Sequence, residues 1–218
     1  MHIFYSMKKS DDLFTYITAA CGLLASCGDF IVTFILGALF PGYNSIHHSE
    51  SYLGTSQSPV AFYMNAWGIV FFVLFLIFSI GLRKFLFIQG KWQLTVVICV
   101  ALYGLGEGLG SGLFPYNHVN KVLTLSGELH SFFGAIGGIA LAIIPLGCYK
   151  IFHRESYFNL NRYSLIVFIA GIILVIPFLL SESGIISYRG LLQRVYILNY
   201  HAFFSVIALV MIRNTMKD

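Results

Sequence analysis

The chain has 218 residues, of which 58% are hydrophobic and 10% are charged. Soluble domains carry roughly 25% charged residues, so this composition excludes a water-soluble globular fold. The formal net charge of +4 comes from basic residues that stand singly or in pairs between apolar runs. Such dispersion is not typical of a nucleic-acid-binding surface, and it predicts the lipid bilayer as the partner instead.

Six apolar stretches are long enough to cross a membrane as helices, which takes about 20 residues at about 1.5 Å each. The connectors between them are short, so no segment is left for a separate soluble core. We therefore predict an all-α polytopic membrane protein in which residues 1–218 form a single bundle of six transmembrane helices. The predicted spans are residues 13–40, 59–82, 92–114, 127–148, 163–181 and 190–212.

The distribution of basic residues predicts the orientation, because Lys and Arg near span ends are retained in the cytoplasm. Lys121, Arg189 and Arg194 lie on or near the connectors of one side. The connectors of the other side and the chain ends hold Lys8, Lys9, Arg83, Lys84, Lys91, Lys150, Arg154, Arg162, Arg213 and Lys217. We expect the inner membrane of a prokaryote, with both termini in the cytoplasm.

Residues 24–27, Leu-Ala-Ser-Cys, have the form of a bacterial lipoprotein cleavage box, whose processing would remove the first helix. The apolar stretch continues past this box to Phe40, as in a membrane helix. We therefore expect the first span to be retained.

The polar residues that need an explanation lie almost entirely in the outer halves of the predicted spans. A charge in hydrocarbon costs roughly 2.5 to 3.5 kcal/mol, so each one needs a partner, a cavity or a function. We predict a polar pocket that opens outward between the helices. Its candidate residues are Asp29, Asn65, Glu107, His130, Arg194 and His201, joined by His47 and Glu50 of the first outer connector.

Within this set, Glu107, His130 and Asp29 are the candidate catalytic residues, because carboxylates and imidazoles serve as general acids and bases. Residues two apart on a helix point to nearly opposite faces, so Glu128 and His130 cannot both face inward. We favour His130 for the pocket, since Glu128 lies closer to the water interface.

The candidate ligand-binding residues include Arg194, which we expect to be the counter-ion of Asp29 or Glu107. Arg194 and His201 are seven residues apart and share a helix face. The alternative is that these groups only hold the helices together through ion pairs and hydrogen bonds. The full set of candidate ligand-binding residues is Arg194, Asn65, His201, His47 and Glu50.

Motifs for metal binding or nucleophilic catalysis are missing from the sequence. Imidazole and carboxylate groups suit zinc, but neither HExxH nor a paired CxxC occurs, so no metal site is predicted and the cofactor stays open. Ser126 and Ser131 lie near His130 in the sequence, but nothing marks a nucleophile elbow or an oxyanion hole. Whether the protein is an enzyme also stays open.

Glycine occupies every second position from residue 104 to residue 112 in the third span and residues 134, 137 and 138 in the fourth. Small residues let helix backbones approach closely, so we predict close packing of these spans. The alternative is that the glycines leave room for a ligand beside Glu107.

Several short motifs follow one another along the chain. They are Pro41-Gly42-Tyr43, Ser51-Tyr52-Leu53-Gly54, Ser58-Pro59 with Ala61 and Asn65, Gly110-x-Gly112-Leu113-Phe114-Pro115, Leu129-His130 and Gly190-Leu191-Leu192-Gln193-Arg194. Their order resembles a known family of six-span prokaryotic membrane proteins, catalogued as domain of unknown function number nine hundred and ninety-eight. The resemblance extends from about Gly28 to Arg213, and it implies a six-helix bundle without a settled biochemistry. Members often carry acids where this chain has Tyr52 and Tyr116-Asn117.

These observations favour a membrane protein that binds a lipid or another amphipathic small molecule in the outward-facing pocket, with a reaction on this ligand left open. A proton- or ion-coupled transporter is the first alternative, although the inner halves of the spans are almost wholly apolar. A non-catalytic structural or assembly component is the second, and its mark would be a fully paired core without a cavity.

Overall fold

The computed structural model describes residues 2–86, 90–120, 122–152 and 158–216, with side chains from residue 12 onward except at 158 and 182. Lys121, Arg154 and Lys217, which entered the orientation prediction, lie outside the described residues, as do the side chains of Lys8 and Lys9. Six helices in the described part are long and apolar enough to cross a membrane. This confirms the predicted all-α fold with six spans.

The helices follow the chain order of the predicted spans. They are α1 (His2–Leu39), α2 (Ala61–Phe85), α3 (Lys91–Tyr103), α4 (Ser111–Leu113), α5 (Leu125–Ile151), α6 (Phe158–Glu182) and α7 (Arg189–Thr215). The third span consists of α3, a π-helical segment (Gly104–Gly110) and α4. The connectors add a 3₁₀ helix (Glu50–Gly54) and a two-residue antiparallel ladder between β1 (His118–Val119) and β2 (Val122–Leu123).

Local chemistry explains where two of the helices begin and end. Thr124 precedes α5, and its side-chain oxygen accepts a hydrogen bond from the Gly127 backbone nitrogen at 3.2 Å, which satisfies a free donor of the first turn. Gly184 follows α6 with a φ of 81°, a left-handed conformation that glycine adopts without steric cost. The Ile185 nitrogen then donates to the Leu180 oxygen at 3.1 Å, which closes the helix end.

The six spans pack in a closed ring. Each span contacts the next one along the chain, and α7 returns to contact α1. Residues 40–60, 114–124 and 183–188 join the spans at one end of this ring, which we call the loop end. The ring arrangement brings residues from all six spans toward one axis.

The centre of the ring is filled by aromatic side chains. Phe75, Phe78 and Phe204 are at most 1% exposed, and the ring centroids of Phe75 and Phe204 are 5.0 Å apart. His201 and Tyr103 lie in the same cluster, each 2% exposed. These five side chains, from α2, α3 and α7, form the aromatic cluster.

The glycines of the third span pack it against both of its neighbours, as predicted. A Cβ atom at Gly108 would lie 2.7 Å from the backbone oxygen of Gly68 in α2. A Cβ atom at Gly106 would collide with the backbone oxygen of Phe133 in α5 and lie 2.7 Å from the Gly137 nitrogen. Contacts this close to backbone atoms require glycine, because the neighbours cannot move away as a flexible side chain can.

Candidate functional site

The connector of residues 40–60 folds back over the helix ends and carries a carboxylate into the ring. Leu53 of its 3₁₀ helix is fully buried against Leu36 and Val60. The Glu50 backbone nitrogen donates to the Gln193 side-chain oxygen at 2.9 Å. These contacts fix the connector on α1, α2 and α7 and leave the Glu50 side chain only 6% exposed.

A small polar cavity lies beneath this connector. Its volume is about 60 Å³, enough for a few water molecules or a small polar group. Three carboxylates and one imidazole line it, and each comes from a different element. Five of the residues that the sequence predicts for the site line this cavity together: Asp29, Glu50, Asn65, Glu107 and His130.

Asp29 accepts a hydrogen bond from an aromatic side chain and lies near a second one. The Trp67 indole nitrogen donates to Oδ1 at 2.9 Å, and His201 Nδ1 lies 3.9 Å from Oδ2, beyond hydrogen-bond distance. The hydrogen-bond partners of His201 are the Tyr103 hydroxyl, 2.7 Å from Nε2, and the Ser26 backbone oxygen, 3.1 Å from Nδ1. His201 therefore lies near Asp29 without lining the cavity.

His130 is held between a backbone carbonyl and a hydroxyl. Its Nδ1 lies 2.9 Å from the Phe114 oxygen, and its Nε2 lies 3.0 Å from the Ser51 Oγ. The exposure of His130 is 8%, whereas Glu128, two residues earlier, is exposed to the surroundings. The structure thus places His130, and not Glu128, in the cavity.

Arg194 has a different carboxylate partner from the two that the sequence suggests. Its Nε lies 3.6 Å from Glu50 Oε1, so the expected pairing with Asp29 or Glu107 is replaced by one with Glu50. Its other nitrogens donate to the Ser45 oxygen at 2.8 Å and the Tyr43 hydroxyl at 2.6 Å. Arg194 therefore anchors the connector to α7 and does not line the cavity.

The surroundings of Glu50 favour its protonated form. Burial is the main cause, the nearby carboxylates of Asp29 and Glu107 add to it, and Arg194 opposes it, so that the pKa of Glu50 is raised from 4.5 to about 8. Glu50 Oε1 has no hydrogen-bond partner within the part of the chain that the structure describes. This oxygen faces Arg194 Nε at 3.6 Å, beyond hydrogen-bond distance.

A larger cleft adjoins the polar cavity between α5, α6 and α7. Its volume is about 410 Å³, within the range of small-molecule sites. Ile139 and Leu179 on its rim are 65% and 54% exposed, so the cleft opens between α5 and α6, toward the lipid-facing surface of the spans. Gly138 faces open space, with nothing within 4 Å of a Cβ atom built there.

The polar cavity and the cleft meet at a shared wall. All residues of this wall are polar, while most of the remaining cleft lining is aliphatic or aromatic. Arg189 lines the cleft as well, 5.2 Å above the centre of the Tyr116 ring. The residues that line both spaces are Ser51, Glu107, Tyr116, His130 and Gln193.

The structure does not bring His47 to the cavity. Its Nδ1 lies 2.8 Å from the Ser187 oxygen, and its ring stacks on Tyr188 at 5.7 Å, on the surface of the loop end. Among the described residues, no group of three His, Cys, Asp or Glu side chains is placed to hold a metal ion.

Sequence reasoning missed several residues that line the cavity. Trp67, Tyr103 and Tyr116 carry no charge. The search for polar residues in the outer halves of the spans therefore did not select them. Ser51 and Gln193 stand inside two of the short motifs described above, which could have pointed to them.

Comparison with known proteins gives a single family. The model of the family described as Protein of unknown function (DUF998) matches residues 18–210, most of the chain. No curated protein gives a significant match, and neither does any solved structure.

Proposed function

Since the chain belongs to the DUF998 family, whose description states no activity, we propose from the site itself that the protein binds a lipid or another amphipathic small molecule. The polar part of the ligand would occupy the polar cavity, and its apolar part would occupy the cleft. One observation carries this proposal: the two spaces share a wall of five polar residues.

The linings of the two spaces match the two ends of such a ligand. Asp29, Glu50 and Glu107 offer acceptors for hydroxyl or ammonium donors. Aliphatic and aromatic side chains such as Val175 and Phe178 would bury a hydrocarbon chain. Because the cleft opens between α5 and α6, a ligand could enter from the bilayer.

The basic residues support an orientation in which the loop end faces outward and both termini lie in the cytoplasm of a prokaryotic cell, with the protein in its inner membrane. The ligand would then be an amphiphile of the outer leaflet. The buried core of the ring is packed with aromatic and aliphatic side chains, which opposes a polar transport path. The cleft opposes a purely structural role, whose mark would be a core without a cavity.

Native mass spectrometry in a mild detergent, with extraction and analysis of bound lipid, tests the proposal. We expect an amphiphile to co-purify with the wild type and to fall at least about tenfold in Glu107→Gln and His130→Ala, since each removes a polar contact of the shared wall. Glu128→Gln is the matched control, because Glu128 is an exposed carboxylate of α5. Equal amphiphile content in all four proteins would refute the proposal.

A further inference from the structure

The hydrogen bonds of His130 define its protonation pattern. A backbone carbonyl only accepts, so the Nδ1 atom, 2.9 Å from the Phe114 oxygen, carries the hydrogen. In the neutral ring, Nε2 is then an acceptor, and the Ser51 hydroxyl at 3.0 Å donates to it. A base that is oriented on its far side and accepts from a hydroxyl is the arrangement that activates a serine nucleophile.

Ser51 differs in this respect from the two serines that flank His130 in the sequence. The Ser126 hydroxyl donates to the Pro115 oxygen at 2.9 Å, and the Ser131 hydroxyl donates to the Gly127 oxygen at 3.0 Å. A carbonyl oxygen holds a hydroxyl but takes no proton from it. Of these three serines, therefore, only Ser51 has a hydroxyl that donates to a base.

The pair also lies where a substrate would reach it. Ser51 and His130 belong to the wall between the polar cavity and the cleft. Gln193 of the same wall accepts the Glu50 N–H through its side-chain oxygen, so its amide N–H groups can donate to a ligand. Tyr116 accepts from Arg189 at 3.4 Å, and its own hydroxyl hydrogen can donate as well. Such donors stabilise the oxyanion that forms during acyl transfer.

We propose that Ser51 and His130 form a nucleophile–base pair that cleaves an ester bond of the amphipathic ligand. This inference rests on the proposed binding function. The Ser51 oxygen would attack the ester carbonyl carbon while its proton passes to His130 Nε2. The bond from the carbonyl carbon to the alcohol oxygen then breaks, and the leaving alcohol takes the proton from Nε2.

Water completes the reaction. His130 Nε2 takes a proton from a water molecule, whose oxygen attacks the acyl-Ser51 carbonyl. The bond between the carbonyl carbon and the Ser51 oxygen breaks, and this oxygen regains its proton from Nε2. One ester and one water thus yield one carboxylic acid and one alcohol, and both side chains return to their starting states.

Labelling with an octyl fluorophosphonate in detergent, followed by peptide mass spectrometry, tests the pair. We expect a covalent adduct on Ser51 in the wild type and none at this position in Ser51→Ala. His130→Gln should react at least about 100-fold more slowly, because an amide cannot take the proton although it can keep the hydrogen bonds. Ser126→Ala is the matched control, because Ser126 lines neither space, and its labelling should stay within about twofold of the wild type.

Bound-lipid content, measured on the same samples, separates this inference from the binding function. A wild-type protein that binds amphiphile but carries no adduct on Ser51 would overturn the nucleophile–base pair and leave the binding function intact. Labelling of His130→Gln at the wild-type rate would overturn it too. Absence of both adduct and bound amphiphile would overturn the two proposals together.

Discussion

Two histidine–hydroxyl pairs in this protein have nearly the same hydrogen bonds and opposite surroundings. His130 lies 3.0 Å from the Ser51 hydroxyl and 2.9 Å from a backbone oxygen. His201 lies 2.7 Å from the Tyr103 hydroxyl and 3.1 Å from a backbone oxygen. His130 and Ser51 border the polar cavity and the cleft, whereas His201 is enclosed by the aromatic cluster.

The difference shows that hydrogen-bond geometry alone does not distinguish a functional pair from a structural one. His201 lines neither space, and of its pair only Tyr103 borders the polar cavity, so the hydrogen bonds of His201 serve to stabilise the fold. The accessible pair adjoins a volume of about 410 Å³ that a ligand can fill. Access, set by how the helices pack around each pair, therefore decides the role.

We expect the largest effect on stability from a substitution that disrupts the close packing of the third span. Gly106→Leu would drive a side chain into the backbone of α5 at Phe133 and Gly137. We expect a loss of at least about 3 kcal/mol in unfolding free energy, because backbone atoms cannot yield. The measurement is the yield of monodisperse protein and its thermal midpoint in detergent; wild-type values for both would contradict the packing described here.

A glycine-to-leucine substitution in the cleft, at Gly138, should leave the fold intact and weaken binding of the amphiphile. Gly138→Leu places its side chain in open space, so the unfolding free energy should change by less than about 1 kcal/mol. The leucine would occupy the cleft, and we expect bound amphiphile to fall at least about tenfold in native mass spectra. Unchanged amphiphile content in a folded Gly138→Leu protein would place the ligand elsewhere.

Removing each hydroxyl should separate the two histidine pairs by stability. Tyr103→Phe leaves Nε2 of the buried His201 without its partner, which should cost about 1–3 kcal/mol. Ser51→Ala should cost less than about 1 kcal/mol, since water in the cavity can replace the hydroxyl. Thermal unfolding in detergent measures both, and equal losses would mean that the two sites are equally closed.

A pH dependence of stability should arise from Glu50. Its folded pKa of about 8 exceeds its ordinary value of 4.5, so the folded state binds more protons between these values. The resulting stability is present at low pH and is lost as the pH rises through about 8, by at most about 1.4 kcal/mol per pH unit.

Glu50→Gln removes this titrating group and should flatten the decline in stability between pH 5 and pH 8. Thermal midpoints of the wild type and the variant across this window provide the measurement. Parallel curves would show that Glu50 is ionised in the folded protein throughout. Glu128→Gln serves as the control, because it removes an exposed carboxylate of α5 that lines neither space.

The helices could be predicted from the sequence because spanning a membrane is a local property. The six observed spans begin and end within about four residues of the predicted ones. The depth of a residue along a helix also follows from the sequence, through the rise of about 1.5 Å per residue. For this reason Asp29, Asn65, Glu107 and His130 were expected near one another, and they do line one cavity.

The partners of these residues could not be predicted, because they depend on how the connectors fold back. The connector of residues 40–60 inserts Glu50 beside Arg194 and Ser51 beside His130, contacts that join residues 144 and 79 positions apart. No local sequence pattern predicts such long-range contacts. His47, in the same connector, instead contacts Ser187 on the surface.

The sequence by itself determined that this is a membrane protein, where its six spans lie and at which end of the bundle its polar groups collect. Hydrophobicity and helical rise act along each segment independently, so both can be derived from the order of residues. Only the tertiary structure decided which histidine is sealed, which serine meets a base and where a cleft adjoins the carboxylates. These outcomes depend on the packing of all six spans and their connectors at once, since burial and access belong to the assembled ring and not to any one helix.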